Sequence, residues 1–462
     1  MTGLSQLYLI SLCFYLLHLL DFSEFVVSQS IVQYLPGFNG PLPFYLETGY
    51  VSVSEFNDVQ LFYYFVKSES NPTKDPLILW LSGGPGCSAL TALAFEFGPL
   101  HFKIAEYNGS LPTLELNPNS WTRVANILFL DSPVGTGFSY SRSFQGSYTT
   151  DTKSAQQSYS FIRKWLTDHP EFLSNPLYIG GVSYSGVIIP VIAQHISDGV
   201  EVGNKPLLNL KGYLLGNPVT GGELETNSKV PFAYRMGLLS DELFESAKKN
   251  CGGNYVNVNP SNVQCTKDLQ AISECTSRIN SPHILEPSCI LVTPKPKEIN
   301  SSRIIHSPPH TPGFECRSYG YMLSYYWAND KRVRMALNVR KGTVLEWIRC
   351  NSGINYLADV RNSMAYHVYL SSKRRYRSLI YSGDHDMNVP FLGTQEWIRS
   401  LNYSISNEWR PWFVNGQVGG YTRTYANNMT FATVKGGGHT APEYRPKECF
   451  TMFKRWLSYE AL

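Results

Sequence analysis

The sequence LYIGGVSYSGVIIP, residues 177–190, constrains the fold of this chain more than any other part of it. A short apolar strand, Leu177–Ile179, runs into two glycines, Ser183 follows at the bend, and an amphipathic segment, Val187–Ile196, begins soon after. A serine on so sharp a strand-to-helix turn has the geometry of a nucleophile elbow, which exposes the hydroxyl at the top of a sheet. Small residues flank such a serine because a larger side chain would collide with the strand or the helix.

The elbow motif reads Gly181-x-Ser183-x-Ser185-Gly186 and departs by one residue from the strict G-x-S-x-G pattern. An ordinary Gly/Ser-rich turn between a strand and a helix therefore stays open as the alternative to a nucleophile. Pro190 is expected in the first turn of the helix, where few backbone N–H groups have partners.

Short apolar strands alternate with helical patterns along most of the chain. The predicted strands are Gln60–Val66, Leu77–Leu81, Ile127–Leu130, Leu177–Ile179, Leu210–Leu215, Ser378–Ser382 and Thr430–Val434. Apolar residues at helical spacing are Ala155, Tyr159, Ile162 and Leu166, and, in a closing helix, Phe450, Phe453, Trp456 and Leu457. This alternation predicts an α/β fold with a mostly parallel central sheet and helices on both faces. A chain of 462 residues, 43% of them hydrophobic, suits one large domain or two smaller ones.

The character of the sequence changes between residues 221 and 330. Four cysteines fall between 251 and 289, and the stretch 287–312 holds six prolines with basic residues and no periodicity. We interpret 221–330 as an inserted helical cap that is stapled by disulfides and ends in an exposed Pro-rich linker, open to proteases. The sheet pattern resumes after this insertion, so residues 30–220 and 331–462 are predicted to form two parts of one core.

Residues 1–29 are predicted to be a signal peptide, because the run Leu7–Leu20 is almost wholly apolar and small residues precede Gln29. A membrane anchor is the alternative, but about 14 apolar residues are few for a membrane span. Entry into the secretory pathway agrees with the even number of eight cysteines that remain after residue 29. The predicted N-glycosylation sites are Asn108, Asn300, Asn402 and Asn428.

Charge and cysteine spacing argue against several kinds of partner. The net charge is +3 at pH 7 without a long basic run, so nothing favours nucleic acid. The sequence contains neither a C-x-x-C pair nor a histidine cluster at zinc spacing, and we expect no metal site and no other cofactor. We also expect no stable membrane anchor on the mature chain.

Two later strand ends supply the partners that a serine nucleophile needs. A serine hydroxyl reacts only when a base takes its proton and a carboxylate orients that base. Asp384 and Asp386 follow one strand, and His439 follows another in a glycine-rich loop. The chain order Ser183, Asp, His439 is typical of an α/β-hydrolase, with either aspartate open as the carboxylate.

An oxyanion hole is the remaining requirement of this chemistry. Gly83 and Gly84 follow the second predicted strand and can present a backbone N–H, and the amide of Tyr184 supplies another donor. A lone histidine is more often structural, but His439 comes last in the expected order and directly after a strand. Three strand ends therefore agree on Ser-His-Asp catalysis.

Six motifs give the chain a family resemblance. They are WLSGGPGCS (80–88), FEFGP (95–99), PVGTGFSY (133–140), GVSYSG (181–186), YSGDHD (381–386) and GHTAP (438–442). These specific motifs are spread over nearly the whole mature chain, which resembles the serine carboxypeptidase family. The segments SYYWAN (324–329), WRPW (409–412) and VKGGG (434–438) are similar to its plant serine carboxypeptidase-like branch, which includes acyltransferases that use glucose esters as acyl donors.

The resemblance implies an α/β-hydrolase fold with an inserted helical cap, and it assigns roles to the candidate residues. It implies that Asp384 structures its loop and leaves Cys275 and Cys449 without an assigned partner. The implied triad is Ser183, Asp386 and His439, the implied oxyanion donors are Gly84 and Tyr184, and the implied disulfides are Cys87–Cys350, Cys251–Cys265 and Cys289–Cys316.

The departures from the family pattern fall at positions that bind the substrate in the peptidases. The predicted substrate-binding residues are Ser82, Gly83, Glu96 and Val182. In the peptidases of this family, Asn at position 82 and Glu at position 182 join Glu96 in a clamp for the C-terminal carboxylate of the peptide. Here the clamp positions hold Ser82 and Val182, and valine offers no side-chain hydrogen bond. Each lost charge-assisted bond costs about 1.5–3 kcal/mol, so we expect recognition of a free C-terminus to weaken by roughly 10²–10⁴.

Three functions stay open, and we favour the first. It is an acyltransferase that moves an acyl group from a 1-O-acyl glucose ester to an alcohol. The acyltransferase branch of the family typically carries Asp at position 182, so Val182 departs from that pattern too. The second is a serine carboxypeptidase that releases C-terminal amino acids, with Val182 merely packing at a strand end. The third is an inactive secreted binding protein. The protein is expected to be secreted or delivered to the vacuole, and only the family resemblance suggests the vacuole.

Overall fold

The computed structural model describes residues 29–54, 58–289 and 313–462. The predicted signal peptide lies outside the described residues apart from its last position, and so do Asn300 and most of the predicted Pro-rich linker. Within the described ranges, no helix is both long and apolar enough to cross a membrane.

A mixed sheet of twelve strands forms the centre of the described structure. The strands of the described residues are β1 Gln29–Ile31, β2 Leu46–Ser52, β3 Val59–Val66, β4 Leu77–Leu81, β5 Leu100–Phe102, β6 Leu114–Leu116, β7 Asn126–Leu130, β8 Tyr140–Ser141, β9 Thr149–Thr150, β10 Leu177–Val182, β11 Leu210–Gly216, β12 Tyr356–Leu357, β13 Arg377–Gly383, β14 Ile405–Val414, β15 Gln417–Tyr425 and β16 Met429–Val434. The order in the large sheet is β1-β2-β3-β7-β4-β10-β11-β13-β16-β15-β14, and β8 pairs with β3. From β7 to β16 in this order the strands are parallel, as the sequence predicts.

Helices connect the parallel strands and form the insertion. The α-helices of the described residues are α1 Phe144–Ser147, α2 Asp151–Asp168, α3 Ser185–Glu201, α4 Glu223–Asn227, α5 Lys229–Arg235, α6 Asp241–Cys251, α7 Val263–Thr276, α8 Arg317–Asn329, α9 Lys331–Ala336, α10 Met364–Ser372, α11 Phe391–Ser400, α12 Ala441–Tyr444 and α13 Pro446–Leu457. Shorter turns of other helix types are Ala92–Glu96, Trp121–Arg123 and Pro170–Phe172.

Alternation along the central strands divides the core into two apolar layers. On β4, Ile78 and Trp80 belong to one layer, whereas Leu77, Leu79 and Leu81 belong to the other. The two layers arise because successive side chains of a strand point to opposite faces of the sheet. Helices α2 and α3 pack in the second layer and α13 packs in the first, so the sheet is covered on both faces as predicted.

The margins of the sheet are antiparallel, which differs from the parallel pattern of the centre. Strands β1, β2 and β3 pair antiparallel on one side, and β16, β15 and β14 do so on the other. The sequence pattern is weak there because β14 is mostly exposed. The interior of β2 also carries the buried polar residues Glu47 and Thr48. Neither strand therefore shows the continuous apolar run of a central strand.

The helical insertion of the predicted fold follows β11. Helices α5–α7 pack around a small apolar cluster of their own, which includes Phe232, Leu239 and Ile272, and Met387 of the core joins this cluster. Helix α8 follows beyond residue 312. The boundaries 221–330 for the cap, and 30–220 and 331–462 for the two parts of the core, stay predictions.

Three disulfides are present among the described residues, and they are the pairs that the family resemblance implies. Cys87–Cys350 joins the loop after β4 to the loop before β12, Cys251–Cys265 joins α6 to α7, and Cys289–Cys316 joins residues on the two sides of the segment 290–312. Cys275 is a free exposed thiol and Cys449 is a free buried one.

Candidate active site

Ser183 lies on a sharp turn between β10 and α3. The strand continues to Val182 and the helix begins at Ser185, so both are longer than the sequence predicts. The backbone of Ser183 adopts a φ of 60°, in the left-handed region that residues other than glycine rarely adopt. A Cβ at Gly181 would lie 2.6 Å from Cβ of Ser185, so this position accepts only glycine without displacement of its neighbours. The turn is therefore the strained elbow that the motif predicts.

Pro190 lies inside α3 rather than in its first turn, which corrects the sequence prediction. The helix begins directly after the elbow, so the proline falls in the second turn and removes the backbone hydrogen bond to the carbonyl of Gly186. The hydroxyl of Ser363 donates to that carbonyl at 3.1 Å. A side chain from another part of the chain thus satisfies the acceptor that the proline leaves without its usual donor.

The structure brings Ser183, His439 and Asp386 together in one hydrogen-bonded row. His439 Nε2 lies 2.8 Å from Ser183 Oγ, and His439 Nδ1 lies 2.8 Å from Asp386 Oδ2. The histidine is half-buried and the aspartate is fully buried. This is the geometry in which a histidine can take a proton from a serine while a carboxylate fixes its tautomer.

The carboxylate of Asp386 is held by three further donors. Asn217 Nδ2 donates to Oδ2 at 2.8 Å, and the backbone N–H groups of Asn388 and Val389 donate to Oδ1 at 2.7 and 3.2 Å. Asp384 instead accepts from the backbone N–H of Gly436 at 2.7 Å and therefore shapes the loop that precedes His439. No sequence motif predicts Asn217, although it directly follows β11, a position from which parallel strands supply site residues.

The predicted oxyanion donors, Gly84 and Tyr184, lie where the loop after β4 meets the start of α3. A Cβ built on Gly83 would be 2.6 Å from Cβ of Ser183 and 3.0 Å from the backbone N of Tyr184, so the Gly83 backbone packs directly against the elbow. Gly84 follows with a φ of +117°. The N–H of Tyr184 stands at the start of α3, where backbone N–H groups have no partner within the helix. The phenol of Tyr184 donates to the buried carboxylate of Asp151 at 2.9 Å, which fixes this side chain.

Two of the three positions that form the carboxylate clamp in family peptidases lie side by side. Gly181 pairs with Leu81, so the next residues, Val182 and Ser82, lie beside each other at the ends of β10 and β4. Both are buried, as is Glu96. Neither Ser82 Oγ nor the two carboxyl oxygens of Glu96 have a hydrogen-bond partner among the described protein groups. Burial, with the nearby charge of Glu443, raises the pKa of Glu96 to about 8.

Glu443 lies near the candidate site, and no sequence motif predicts it. It lies on α12, one turn after His439, and its carboxylate accepts from Thr440 Oγ1 at 2.7 Å and from the Tyr321 hydroxyl at 3.0 Å. Arg317 Nη1 lies 3.4 Å from the same carboxylate. No motif marks these partners, because Tyr321 and Arg317 come from α8, more than a hundred residues before α12 in the sequence.

Comparison with known proteins agrees with this geometry. The sequence profile described as serine carboxypeptidase matches residues 36–459, which is nearly the whole described chain. The chain belongs to the serine carboxypeptidase family. Its membership makes the protein a serine carboxypeptidase-like enzyme with an α/β-hydrolase fold.

Similar relatives include two proteins of Arabidopsis thaliana. Serine carboxypeptidase-like 17 is 54% identical over 456 residues, which cover 97% of this chain and 99% of the relative. Serine carboxypeptidase-like 19 is 53% identical over 467 residues, which cover 99% of this chain and 98% of the relative. Among solved structures, Kex1(delta)p, a prohormone-processing carboxypeptidase from Saccharomyces cerevisiae, superposes with a TM-score of 0.71 at 19% identity, over 90% of this chain and 92% of that chain. This likeness supports the fold.

The predicted glycosylation sites that the structure describes are accessible. Asn108, Asn402 and Asn428 are exposed, and Asn300 lies outside the described residues. Glycosylation at these asparagines stays a prediction, and the disulfides are consistent with an oxidising compartment such as the secretory pathway.

Proposed function

We propose that this enzyme transfers an acyl group from a 1-O-acyl glucose ester to an alcohol, through an acyl-enzyme at Ser183. His439 is the general base and acid, Asp386 is the orienting carboxylate, and the N–H groups of Gly84 and Tyr184 form the oxyanion hole. The hydrogen-bonded row of the three side chains supports these roles, because each bond has the partner and the length that the chemistry needs.

In the first half-reaction, Ser183 Oγ attacks the ester carbonyl while His439 Nε2 takes the hydroxyl proton. The negative charge that develops on the carbonyl oxygen is stabilised by the two backbone N–H donors. The bond between the carbonyl carbon and the glucose oxygen breaks, and His439 returns its proton to that oxygen. Glucose leaves, and the acyl group stays on Ser183 as an ester.

In the second half-reaction, His439 takes the proton of an acceptor alcohol, and the alcohol oxygen attacks the acyl-enzyme. The bond to Ser183 Oγ breaks, and His439 protonates the serine. Hydrolysis would follow the same path with water as the acceptor, so the balance between transfer and hydrolysis depends on which molecule the pocket binds.

The altered clamp is the observation that carries the transferase proposal. Val182 offers no hydrogen bond where family peptidases have glutamate, and the raised pKa of Glu96 keeps its carboxyl protonated at neutral and acidic pH. The protonated Glu96 and the Ser82 hydroxyl are neutral groups that can both donate and accept. Such groups match the hydroxyls of a sugar or an alcohol, which also donate and accept, whereas Val182 removes one side-chain donor for an anionic C-terminal carboxylate.

A serine carboxypeptidase is the second candidate, and the retention of Glu96 favours it. The catalytic row is common to both activities, and Val182 would then only pack at the end of β10. An inactive binding protein is a weaker candidate, because the three catalytic side chains are within hydrogen-bond distance of one another.

A paired assay separates these functions. The purified glycosylated protein and its Ser183→Ala variant are offered a blocked dipeptide with a free C-terminus, and in parallel a panel of hydroxycinnamoyl and benzoyl glucose esters with alcohol acceptors. We expect glucose release and acceptor acylation that depend on Ser183. Release of C-terminal amino acids without turnover of any glucose ester would establish the peptidase instead. Absence of labelling by an active-site serine probe would support the inactive protein.

We also propose that the mature enzyme is secreted or delivered to the vacuole, with a glucose ester and an alcohol, or a peptide C-terminus, as its small partners. The predicted signal peptide and the disulfides support entry into the secretory pathway. Fractionation of cells that express the tagged full-length protein would distinguish the medium from the vacuole.

A further inference from the structure

A short segment after α7 crosses both catalytic loops. It consists of Ser281, Pro282, His283 and Ile284, and we call it the strap. It lies between α7 and the disulfide at Cys289. The strap belongs to the insertion, whereas Asp386 and His439 belong to loops of the core.

The strap holds the loop of Asp386 by two backbone hydrogen bonds. The N–H of Met387 donates to the carbonyl of Ser281 at 2.8 Å, and the N–H of Ile284 donates to the carbonyl of His385 at 3.1 Å. These bonds lie on either side of Asp386 in the sequence. They therefore fix the backbone that carries the orienting carboxylate.

The strap also holds the loop of His439. The N–H of His439 itself donates to the carbonyl of Pro282 at 2.7 Å. A Cβ at Gly438 would lie 2.5 Å from the same carbonyl, which shows how closely the two backbones approach. The catalytic histidine is thus tied to the insertion through its own backbone.

The side chain of His283 locks the strap in place. Its ring stacks on His385 and on Tyr444, with centroid distances of 5.5 and 4.7 Å. His283 Nε2 lies 3.2 Å from the carbonyl of Gly436, which can only accept, and His283 Nδ1 accepts from the N–H of Leu285 at 3.3 Å. Both bonds require the neutral ring with its proton on Nε2. Burial lowers the pKa of His283, which favours this form.

Arg317 fixes Glu286, two residues after the strap, to the helical turn after His439. Its guanidinium binds both carboxyl oxygens of Glu286 at 2.9 Å and lies 3.4 Å from Glu443. It also lies 3.9 Å from the centroid of the Tyr444 ring. His283 therefore anchors the strap itself, and Arg317 anchors the residues that follow it.

We propose that the strap positions the catalytic dyad of Asp386 and His439, with His283 as its main positioning residue. This inference rests on the proposed function, because it assumes that the dyad activates Ser183. None of these hydrogen bonds of the strap involves Ser183. The contribution of the strap is the fixed distance between His439 and its two partners, and small misplacements of such groups reduce rates steeply.

The reactivity of Ser183 with a fluorophosphonate probe tests this inference independently of the substrate. His283→Phe keeps the ring and removes its hydrogen bonds, whereas His283→Gln keeps a donor for Gly436. His367→Phe is the control. His367 is a fully buried histidine that hydrogen-bonds Tyr213 and none of the candidate catalytic residues. Melting temperatures are recorded for every variant of the full-length protein.

We expect the limiting inactivation rate of His283→Phe to fall by about 10- to 100-fold with unchanged probe affinity. His283→Gln should recover much of the loss, and His367→Phe should label at the wild-type rate however much its melting temperature falls. Equal labelling of His283→Phe and the wild-type protein would overturn the proposal, as would an equal loss in His367→Phe.

A second variant covers the case in which His283→Phe does not fold. Arg317→Gln releases Glu286 and Glu443 at the other anchor, and its limiting rate should fall in the same way. Wild-type labelling of a folded Arg317→Gln would then overturn the proposal. Absence of labelling in the wild-type protein would contradict the proposed function itself, and this inference with it, and is recognised because no variant then labels.

Discussion

Asn217 Nδ2 and His439 Nδ1 both lie 2.8 Å from the same oxygen of Asp386. Asn217 directly follows β11 with a φ of 41°, and its side-chain oxygen Oδ1 accepts from the backbone N–H of Gly383 at 3.2 Å. The amide therefore ties two strand ends together and presents its N–H group to the buried carboxylate. It limits the positions that Asp386 can adopt beneath the histidine.

Replacement of Asn217 by alanine should lower kcat by roughly 10- to 100-fold, because a hydrogen bond to a buried charged group contributes about 1.5–3 kcal/mol. Asn217→Asp should lose more, since it places a second carboxylate beside Asp386. Steady-state kinetics with the best ester substrate measure both effects. Wild-type kcat in a folded Asn217→Ala variant would show that the amide serves the fold alone.

The Gly83→Ala variant tests the oxyanion hole. The added methyl group would lie 2.6 Å from Cβ of Ser183 and 3.0 Å from the N of Tyr184, so the loop at residue 83 must move away from the elbow. Loss of one oxyanion donor costs about 10²–10³ in kcat, and we expect a loss of this order. Gly222→Ala is the matched control, because its nearest neighbour is 3.6 Å away. A Gly83→Ala enzyme as active as Gly222→Ala would contradict the assignment.

The double variant Ser82→Asn, Val182→Glu restores the family clamp beside Glu96. If the altered clamp is the reason for weak recognition of peptides, cleavage of a blocked dipeptide should rise by about 10-fold or more, and turnover of glucose esters should fall. Val182→Leu controls for the change of volume. A wild-type peptidase rate that is already high and does not respond to the double variant would show that Val182 only packs.

Two buried groups outside the site make stability depend on pH. Glu47 and His169 form an ion pair at 3.1 Å, and His169 Nδ1 lies 2.8 Å from the carbonyl of Trp165. Burial opposes ionisation of Glu47, but hydrogen bonds from His169 and Tyr63 outweigh it and lower the pKa of Glu47 below 4.5. Burial also opposes protonation of His169, but the bond to Glu47 outweighs it and raises the pKa of His169 above 6.5.

The pair should stabilise the protein most between about pH 4.5 and 6.5. The contribution of His169 is lost as the pH rises through its raised pKa, and that of Glu47 is lost as the pH falls through its lowered pKa. Glu47→Gln should cost about 3–5 kcal/mol within this window, since it leaves a buried charge without its partner. Thermal unfolding across pH measures the difference. The exposed pair of Glu245 and Lys248 supplies the control Glu245→Gln, and an equal cost in both variants would contradict the account.

The parallel centre of the sheet and the hydrogen-bonded row of Ser183, His439 and Asp386 could be predicted because each depends on a local pattern. The buried strands β4 and β7 are almost wholly apolar, Ser183 directly follows β10, and Asp386 and His439 lie in the loops that follow β13 and β16. In a parallel sheet the ends of such strands lie at one edge, so local sequence is enough to bring these side chains together.

The supporting residues could not be predicted, because their contacts depend on tertiary structure. Arg317 and the strap reach the histidine loop from an insertion whose path follows no periodic pattern. The position of Pro190 was predicted wrongly because the helix begins at Ser185, two residues before the predicted start. The donor that satisfies the Gly186 carbonyl, Ser363, comes more than 170 residues later in the sequence. Contacts between residues so far apart in the sequence produce no short motif from which they could be predicted.

The fate of the acyl group on Ser183 tests the proposed function most directly. The protein is mixed with a 1-O-acyl glucose, and intact-protein mass spectrometry follows the acyl-enzyme with and without an alcohol acceptor. We predict one acyl group on the wild-type protein and none on Ser183→Ala, release of glucose in equal amount, and faster loss of the acyl group to the ester product when the alcohol is added. An acyl-enzyme that decays only to the free acid at a rate that no alcohol changes, or one that forms only from peptide substrates, would contradict the account.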